Sequence, residues 1–230
     1  MMVWYIHPIR HNINLFAKHV ERWHGAVNCL TIDFDIIMRP SIELYNDLID
    51  NDFGIQDLEH DFPVLTKVLP PDLYIYNYLT RFLIREFKKL PAEKVFFVES
   101  HEKVAKLLEG QSDVMVCNID HHHDVAYEME AKTPVFVPGA GNWLKYLKDK
   151  GIVTYYTWVH NPNSSQPDDD LAPYIDSQYE LQQMDLETVP EIDMLIICNS
   201  PEWIPSDYQE LWNIWVSIAE EWYGTEFSTL

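Results

Sequence analysis

The sequence predicts an α/β protein built on a mostly parallel sheet that helices cover on both faces. Three observations predict it. Short apolar runs alternate with amphipathic stretches along the chain. Most of those runs are unbroken rather than alternating apolar and polar, which is the pattern of strands buried on both sides. No internal repeat and no second-domain linker interrupts the 230 residues, so 1–230 reads as a single domain long enough to bury a sizeable core.

Taken in order, the first candidate strand is "NCLTIDFD" at 28–35, followed by a candidate helix near 42–50. "LPPD" opens a helix over 71–89, with Pro71 expected inside its first turn. The strand "KVFFVES" at 94–100 leads into a helix over 101–109, with Ser100 as its candidate N-cap. "VMVCNID" at 114–120 is the third strand, a helix follows at 140–149, and "VTYYTWV" at 153–159 is the fourth strand. The segment 161–190, opening "NPNSSQPDDDLAPY", is polar, acidic and proline-bearing, and reads as a long loop of the kind that forms lids or binds substrates. "IDMLIICNS" at 192–200 and a helix over 207–222 complete the pattern.

Composition narrows the function classes. With 47% apolar and 13% aromatic residues the chain is a folded protein. A formal charge of −21 argues against nucleic-acid phosphates and anionic membrane as partners. It suits a cationic substrate or a basic peptide, with plain solubility as the competing account. No window approaches ~18 uninterrupted apolar residues. The opening "MMVWYIHPIRHNINLF" has no basic flank followed by an apolar block. Cys29, Cys117 and Cys198 lie in or beside strand-like runs without CxxC spacing, so a reduced, cytoplasmic setting is expected.

The chemistry gathers at the strand tips. In "VMVCNIDHHHD" an extended chain would project Asp120, His122 and Asp124 from one face, with His121 and His123 on the other. Two carboxylates and an imidazole converging on one volume are costly to bury without a cation. In "LTIDFDII" the same alternation would aim Asp33 and Asp35 one way, the alternative being a pair that caps a turn. Open α/β sheets bind ligands outside the carboxyl ends of their strands, so both acid sets belong to one crevice. His101, after "VFFVES", is either a helix-start histidine or a further ligand, and Glu202 in "NSPEW" is either a first-turn acid or part of the site. A hard, oxygen-rich set with two imidazoles suits manganese better than zinc, and six ligands suit a pair of ions rather than one.

"TIDFD" and "NIDHHHD" together resemble the SxDxD and DxHxD motifs of the ureohydrolase (arginase and agmatinase) superfamily. The segments "VESHEKV", "GAGNWL" and "NSPEW" are similar to the small peptide arginases of ribosomal peptide natural-product pathways. The resemblance covers about 29–203. It implies a three-layer α/β/α fold of the arginase/deacetylase type, two Mn²⁺ ions, and conversion of arginine side chains in a precursor peptide to ornithine and urea. By that resemblance His101 and Asp124 would hold one ion, His122 and Asp35 the other, and Asp120 and Asp33 would bridge them. Asp124 would also orient the attacking hydroxide. Glu202 would grip the guanidinium, a planar fork that a carboxylate matches with two hydrogen bonds. His121, His123 or His160 would pass a proton to the departing amine. Asn142 would either bind the substrate backbone or simply start its helix.

The sequence departs from that family in order and in flanks. Arginases run histidine, then DxHxD, then DxD, whereas Asp33 and Asp35 come first here, which calls for a circularly permuted strand order. "TIDFDIIMRP" replaces the SxDxDxxDP ending, and Glu99-Ser100 stand where arginases carry Gly-Asp. Two other classes compete. "TIDFDII" and "IICNS" also resemble a haloacid-dehalogenase-like phosphatase using Asp33 and Asp35, but that chemistry wants a lysine and an acidic pair after Ser200. A non-catalytic metal- or peptide-binding protein would bind manganese without releasing urea.

Overall fold

The structure, a computed structural model, describes residues 26–38, 71–126, 137–162, 164, 166–186, 189 and 191–230, with Glu202 described by its backbone alone. The expected helix at 42–50 lies outside these residues. Among these residues six strands form one sheet: β1 (Val27–Asp33), β2 (Val95–Val98), β3 (Val114–Ile119), β4 (Val153–His160), β5 (Ser177–Glu180) and β6 (Met194–Cys198). Their order is β2-β6-β1-β3-β4-β5 and every pairing is parallel. Among the described residues four α-helices accompany them: α1 (Leu73–Phe87), α2 (Glu102–Leu108), α3 (Trp143–Asp149) and α4 (Gln209–Tyr223).

Period-two alternation splits each strand between two cores. Leu30, Ile32, Phe97, Ile119, Val159, Leu195 and Ile197 pack with α1 and α4, around Leu79, Phe82, Trp212 and Trp215. Cys29, Val98, Val116, Tyr156, Trp158, Ile196 and Cys198 face α2 and α3, around Val104, Leu108, Trp143 and Leu147. The result is helices on both sides of a parallel sheet, as the unbroken apolar runs require. A register shift between Val114 and Met115 adds one residue to β4, so Val153 joins the same core as Tyr156 and Trp158.

β1 lies at the centre, between β3 and β6. The helix that next follows β1 among the described residues, α1, packs on one face, whereas α3, following β3, packs on the other. Adjacent strands whose following helices go to opposite faces leave a crevice at their carboxyl ends. Register brings the tips level: Asp33 stands opposite Cys198, Cys198 opposite Val98, and Ile32 opposite Ile119.

Three local expectations are corrected. Asp72, not Pro71, starts α1: its Oδ1 accepts from the Tyr74 and Ile75 amides at 2.9 and 3.1 Å, which leaves Pro71 before the cap. The N-cap of α2 is His101 rather than Ser100, and its imidazole makes no capping bond. The segment 161–190 is not wholly a loop. It holds the edge strand β5, paired with β4 from Thr157–Ser177 to His160–Glu180, and short 3-10 turns at Ala172–Tyr174 and Leu181–Gln183. "SQYE" is short, polar and only partly buried, so it carries neither a strand's apolar run nor its alternation.

Candidate metal centre at the strand tips

Extended geometry delivers the ligands only as far as the last residue of each strand. Asp33 ends β1, and the chain then tightens into a 3-10 turn, Phe34–Ile37, that carries Asp35. Asp33 Oδ1 accepts the Asp35 amide at 3.2 Å, the turn-capping alternative, while its Oδ2 faces His101 Nδ1 at 3.3 Å. β3 likewise ends at Ile119, and Asp120–Asp124 follow in bends rather than in strand. Asp120 Oδ1 accepts the His122 amide at 2.8 Å and closes a tight turn. Asp124 adopts φ 54°, a left-handed conformation that aspartate tolerates better than most residues. The turn, not strand alternation, returns Asp124 to the cluster.

Six of the described residues meet there, each at most 8% exposed: Asp33, Asp35, His101, Asp120, His122 and Asp124. His101 Nδ1 lies 2.7 Å from Asp124 Oδ2, and 3.3 Å from both Asp33 Oδ2 and Asp120 Oδ2. His122 Nδ1 lies 2.8 Å from Asp35 Oδ2 and 3.8 Å from Asp120 Oδ1. Two of the three groups among the described residues that could hold an ion are His101 with Asp120 and Asp124, and His122 with Asp35 and Asp120. Asp120 belongs to both, turning one oxygen to each. Neighbouring ligands around an octahedral ion with bonds of about 2.1 Å stand about 3 Å apart, the spacing seen between these atoms.

Charge makes the same case. Four carboxylates and two imidazoles carry a surplus of two negative charges even with both rings protonated, and at an effective dielectric of ~20 two like charges 4 Å apart repel by roughly 4 kcal/mol. Burial pushes Asp33, Asp35 and Asp124 above the usual carboxylate range, with Asp35 adding to Asp33 and Asp120 to the other two; Asp124 reaches about 7. Burial also acts upward on Asp120, but His101 and His122 outweigh it and hold that carboxyl below its ordinary range. Burial pulls His101 down, yet Asp124, Asp33 and Asp120 raise it to about 10. His122 is raised as well: Asp35 and Asp120 overcome its burial. The hard, oxygen-rich donor set is of the kind that could hold divalent cations.

Cys198 Sγ lies within 4.8 Å of ligand-type atoms of Asp33 and His101, the third such group. Burial and the Asp33 charge push its pKa well above that of an ordinary thiol, so it remains protonated and a poor ligand. All three cysteines are free.

The remaining candidates lie around this centre. His123 and His160 flank the Trp158 indole, with ring centroids 5.8 and 4.3 Å away. His123 Nδ1 accepts the Val125 amide at 3.2 Å, and His160 Nδ1 sits 2.7 Å from the Asn161 carbonyl. Burial keeps His121, His123 and His160 neutral: the first two are pushed down to about 3, with His122 adding, and His160 is lowered. The His121 amide points to Asp35 Oδ1 at 3.4 Å. Asn142 starts α3, where its Oδ1 accepts the Gly139 amide at 2.6 Å. Glu202 sits in the 3-10 turn Pro201–Trp203 leaving the β6 tip, and the Trp203 ring lies 4.8 Å from that of His122.

Several contributors carried no role in the sequence pattern. The Trp143 indole N–H donates to Asp124 Oδ2 at 2.5 Å, and the Ser200 hydroxyl donates to Asp33 Oδ2 at 2.6 Å. Thr31, Asn118 and Tyr156 lie fully buried beneath the ligands. The signal that points to Thr31 and Asn118 is a polar residue two positions before each acid, Thr31 before Asp33 and Asn118 before Asp120, inside an otherwise apolar strand. Compared with protein-family models, curated proteins and solved structures, the chain matches none.

Proposed function

We propose that this protein is a dinuclear manganese hydrolase that converts arginine side chains of a basic peptide to ornithine with release of urea. The observation that carries the reading is Asp120, one carboxylate whose two oxygens face two separate histidine–aspartate sets. His101 and Asp124 would hold one ion, His122 and Asp35 the other, and Asp120 and Asp33 both. Bound there, two divalent ions would supply a nucleophile from water at neutral pH, which the poorly electrophilic guanidinium carbon requires. The sheet sets the His101 strand, the "NSPEW" strand, the Asp33 strand and the Asp120 strand side by side, so one site can draw on all four tips.

The chain's own groups have separable roles. The Trp143 indole fixes Asp124 Oδ2, so the carboxyl is held ready to orient the attacking oxygen and take its proton. Water oxygen adds to the guanidinium carbon, the bond from that carbon to the side-chain nitrogen breaks, and a proton goes to the departing amine. A His160 ring whose Nδ1–H is tied to the Asn161 carbonyl leaves Nε2 as its proton-accepting atom. In His123 the Val125 amide occupies Nδ1, so the ring proton rests on Nε2 and is the one to donate. Glu202 would grip the guanidinium, and Asn142 would meet the peptide backbone. Asp168, Asp169 and Asp170 stand exposed beyond β4, where they suit a cationic substrate.

The basic partners of Asp33 and Asp35 among the described residues are His101 and His122, which favours this reading over a phosphatase that needs a lysine. The deciding measurement is mass spectrometry of an arginine-containing peptide incubated with protein and Mn²⁺. Loss of one CH₂N₂ unit per modified arginine, with equimolar urea, is expected, and Asp120→Ala abolishes both. Manganese bound with peptide mass unchanged selects the binding-only alternative.

A further inference from the structure

Beneath the ligands, a buried polar group has its donors and acceptors fully accounted for. Asn118 faces the α2/α3 side two residues before Asp120, directly across the β1–β3 register from Thr31. The Tyr156 hydroxyl donates to the His123 carbonyl at 2.9 Å, so it meets Asn118 Nδ2 at 3.3 Å as an acceptor. The Thr31 hydroxyl donates to Asn118 Oδ1. These contacts set the amide's orientation, oxygen toward Thr31 and nitrogen toward Tyr156 and Asp120. Asn118 Nδ2 therefore donates to Asp120 Oδ2 at 3.0 Å, the oxygen that faces His101, while Oδ1 takes the His122 amide. Both carboxylate oxygens are thus aimed by neutral donors.

We propose that Asn118 is a positioning residue that holds the Asp120 carboxylate across the two ligand sets, so that two ions bind as one bridged centre rather than independently. A neutral donor suits this role because it fixes the carboxylate without cancelling the charge that attracts the ions, whereas a lysine or arginine there would compete with them. Thr31 and Tyr156 keep the amide from turning over. An asparagine in the "VMVCNI" strand is otherwise costly to bury, and this network offsets that cost.

This inference rests on the dinuclear reading, and the test separates the two. Mn²⁺ stoichiometry and affinity are measured by titration calorimetry, and coupling by electron paramagnetic resonance of the loaded protein. The parent is expected to bind two ions with an exchange-coupled spectrum. Asn118→Leu and Asn118→Asp are expected to bind the second ion about 10–100-fold more weakly, with the spectrum of isolated ions replacing the coupled one. Thr31→Val, which frees the amide to turn, is expected to shift both readouts the same way and decides the matter should the Asn118 variants not fold. A coupled pair of parental affinity in Thr31→Val and in any folded Asn118 variant overturns the role of Asn118 alone. A parent that binds no coupled pair overturns the dinuclear reading and this inference with it.

Discussion

At the scale of single residues, Ser200 shows how backbone strain and carboxylate orientation are joined. Its φ of 44° is left-handed, a conformation that typically costs a non-glycine residue about 1–2 kcal/mol. In return its hydroxyl reaches Asp33 Oδ2 at 2.6 Å. Replacement by glycine relieves the backbone but deletes the donor, whereas alanine keeps the strain and deletes the donor. Ser200→Ala and Ser200→Gly are both expected to weaken Mn²⁺ binding about 10-fold or more, while the glycine variant melts above the alanine variant in the presence of chelator. Calorimetric titration and thermal melts check this. Parental Mn²⁺ affinity in both variants would show that Asp33 needs no help from Ser200.

Among the elements, α4 anchors the layer that supports the first ligand turn. Trp215 is fully buried, stacks on Tyr76 of α1 at 5.5 Å, meets the Phe34 ring edge-on at 4.9 Å and donates its indole N–H to Thr80 at 2.7 Å. Phe34 lies between Asp33 and Asp35, so this packing also holds the turn that carries them. Trp215→Ala is expected to lower stability by about 3–5 kcal/mol, read from the urea midpoint. Trp215→Phe costs less, because Thr80 still donates to the Tyr76 carbonyl at 2.7 Å. On the opposite face α3 does the corresponding work, with buried Trp143 tying that layer to Asp124.

For the whole molecule, the proposed metal reading couples cation binding to folding. Four carboxylates gathered within one buried cluster repel each other, and only the folded chain gathers them. At Mn²⁺ concentrations 100 times the dissociation constant, stabilisation of about 2.7 kcal/mol is expected. Chelation should therefore lower the melting temperature and Mn²⁺ restore it, whereas Asp120→Ala should abolish the response. A melting temperature indifferent to Mn²⁺ and to chelator would sink the metal reading. Among the described residues, no helix is long and apolar enough to cross a membrane.

Much of this architecture was legible in the chain because burial on both faces leaves a plain signature. β1, β2, β3, β4 and β6 announce themselves as apolar runs, and the acids "TIDFD" and "NIDHHHD" stand where those runs end. What local pattern could not supply is how the chain turns after each strand. Period-two reasoning placed Asp35, His122 and Asp124 with their partners by assuming an extended backbone, whereas a 3-10 turn and a left-handed Asp124 do the placing. β5 escaped notice because an edge strand of four polar residues is held by its backbone pairing with β4 and not by its side chains. The sequence alone determined the sheet, its two covered faces and the acids at its tips, since these follow from hydrophobic burial residue by residue. Only the tertiary structure decided that β1 lies between β3 and β6, that Asp120 faces two histidines at once, and that Asn118 and Ser200 aim the carboxylates. Those relations join residues far apart in the chain, and strand order and register, which no local periodicity encodes, bring them together.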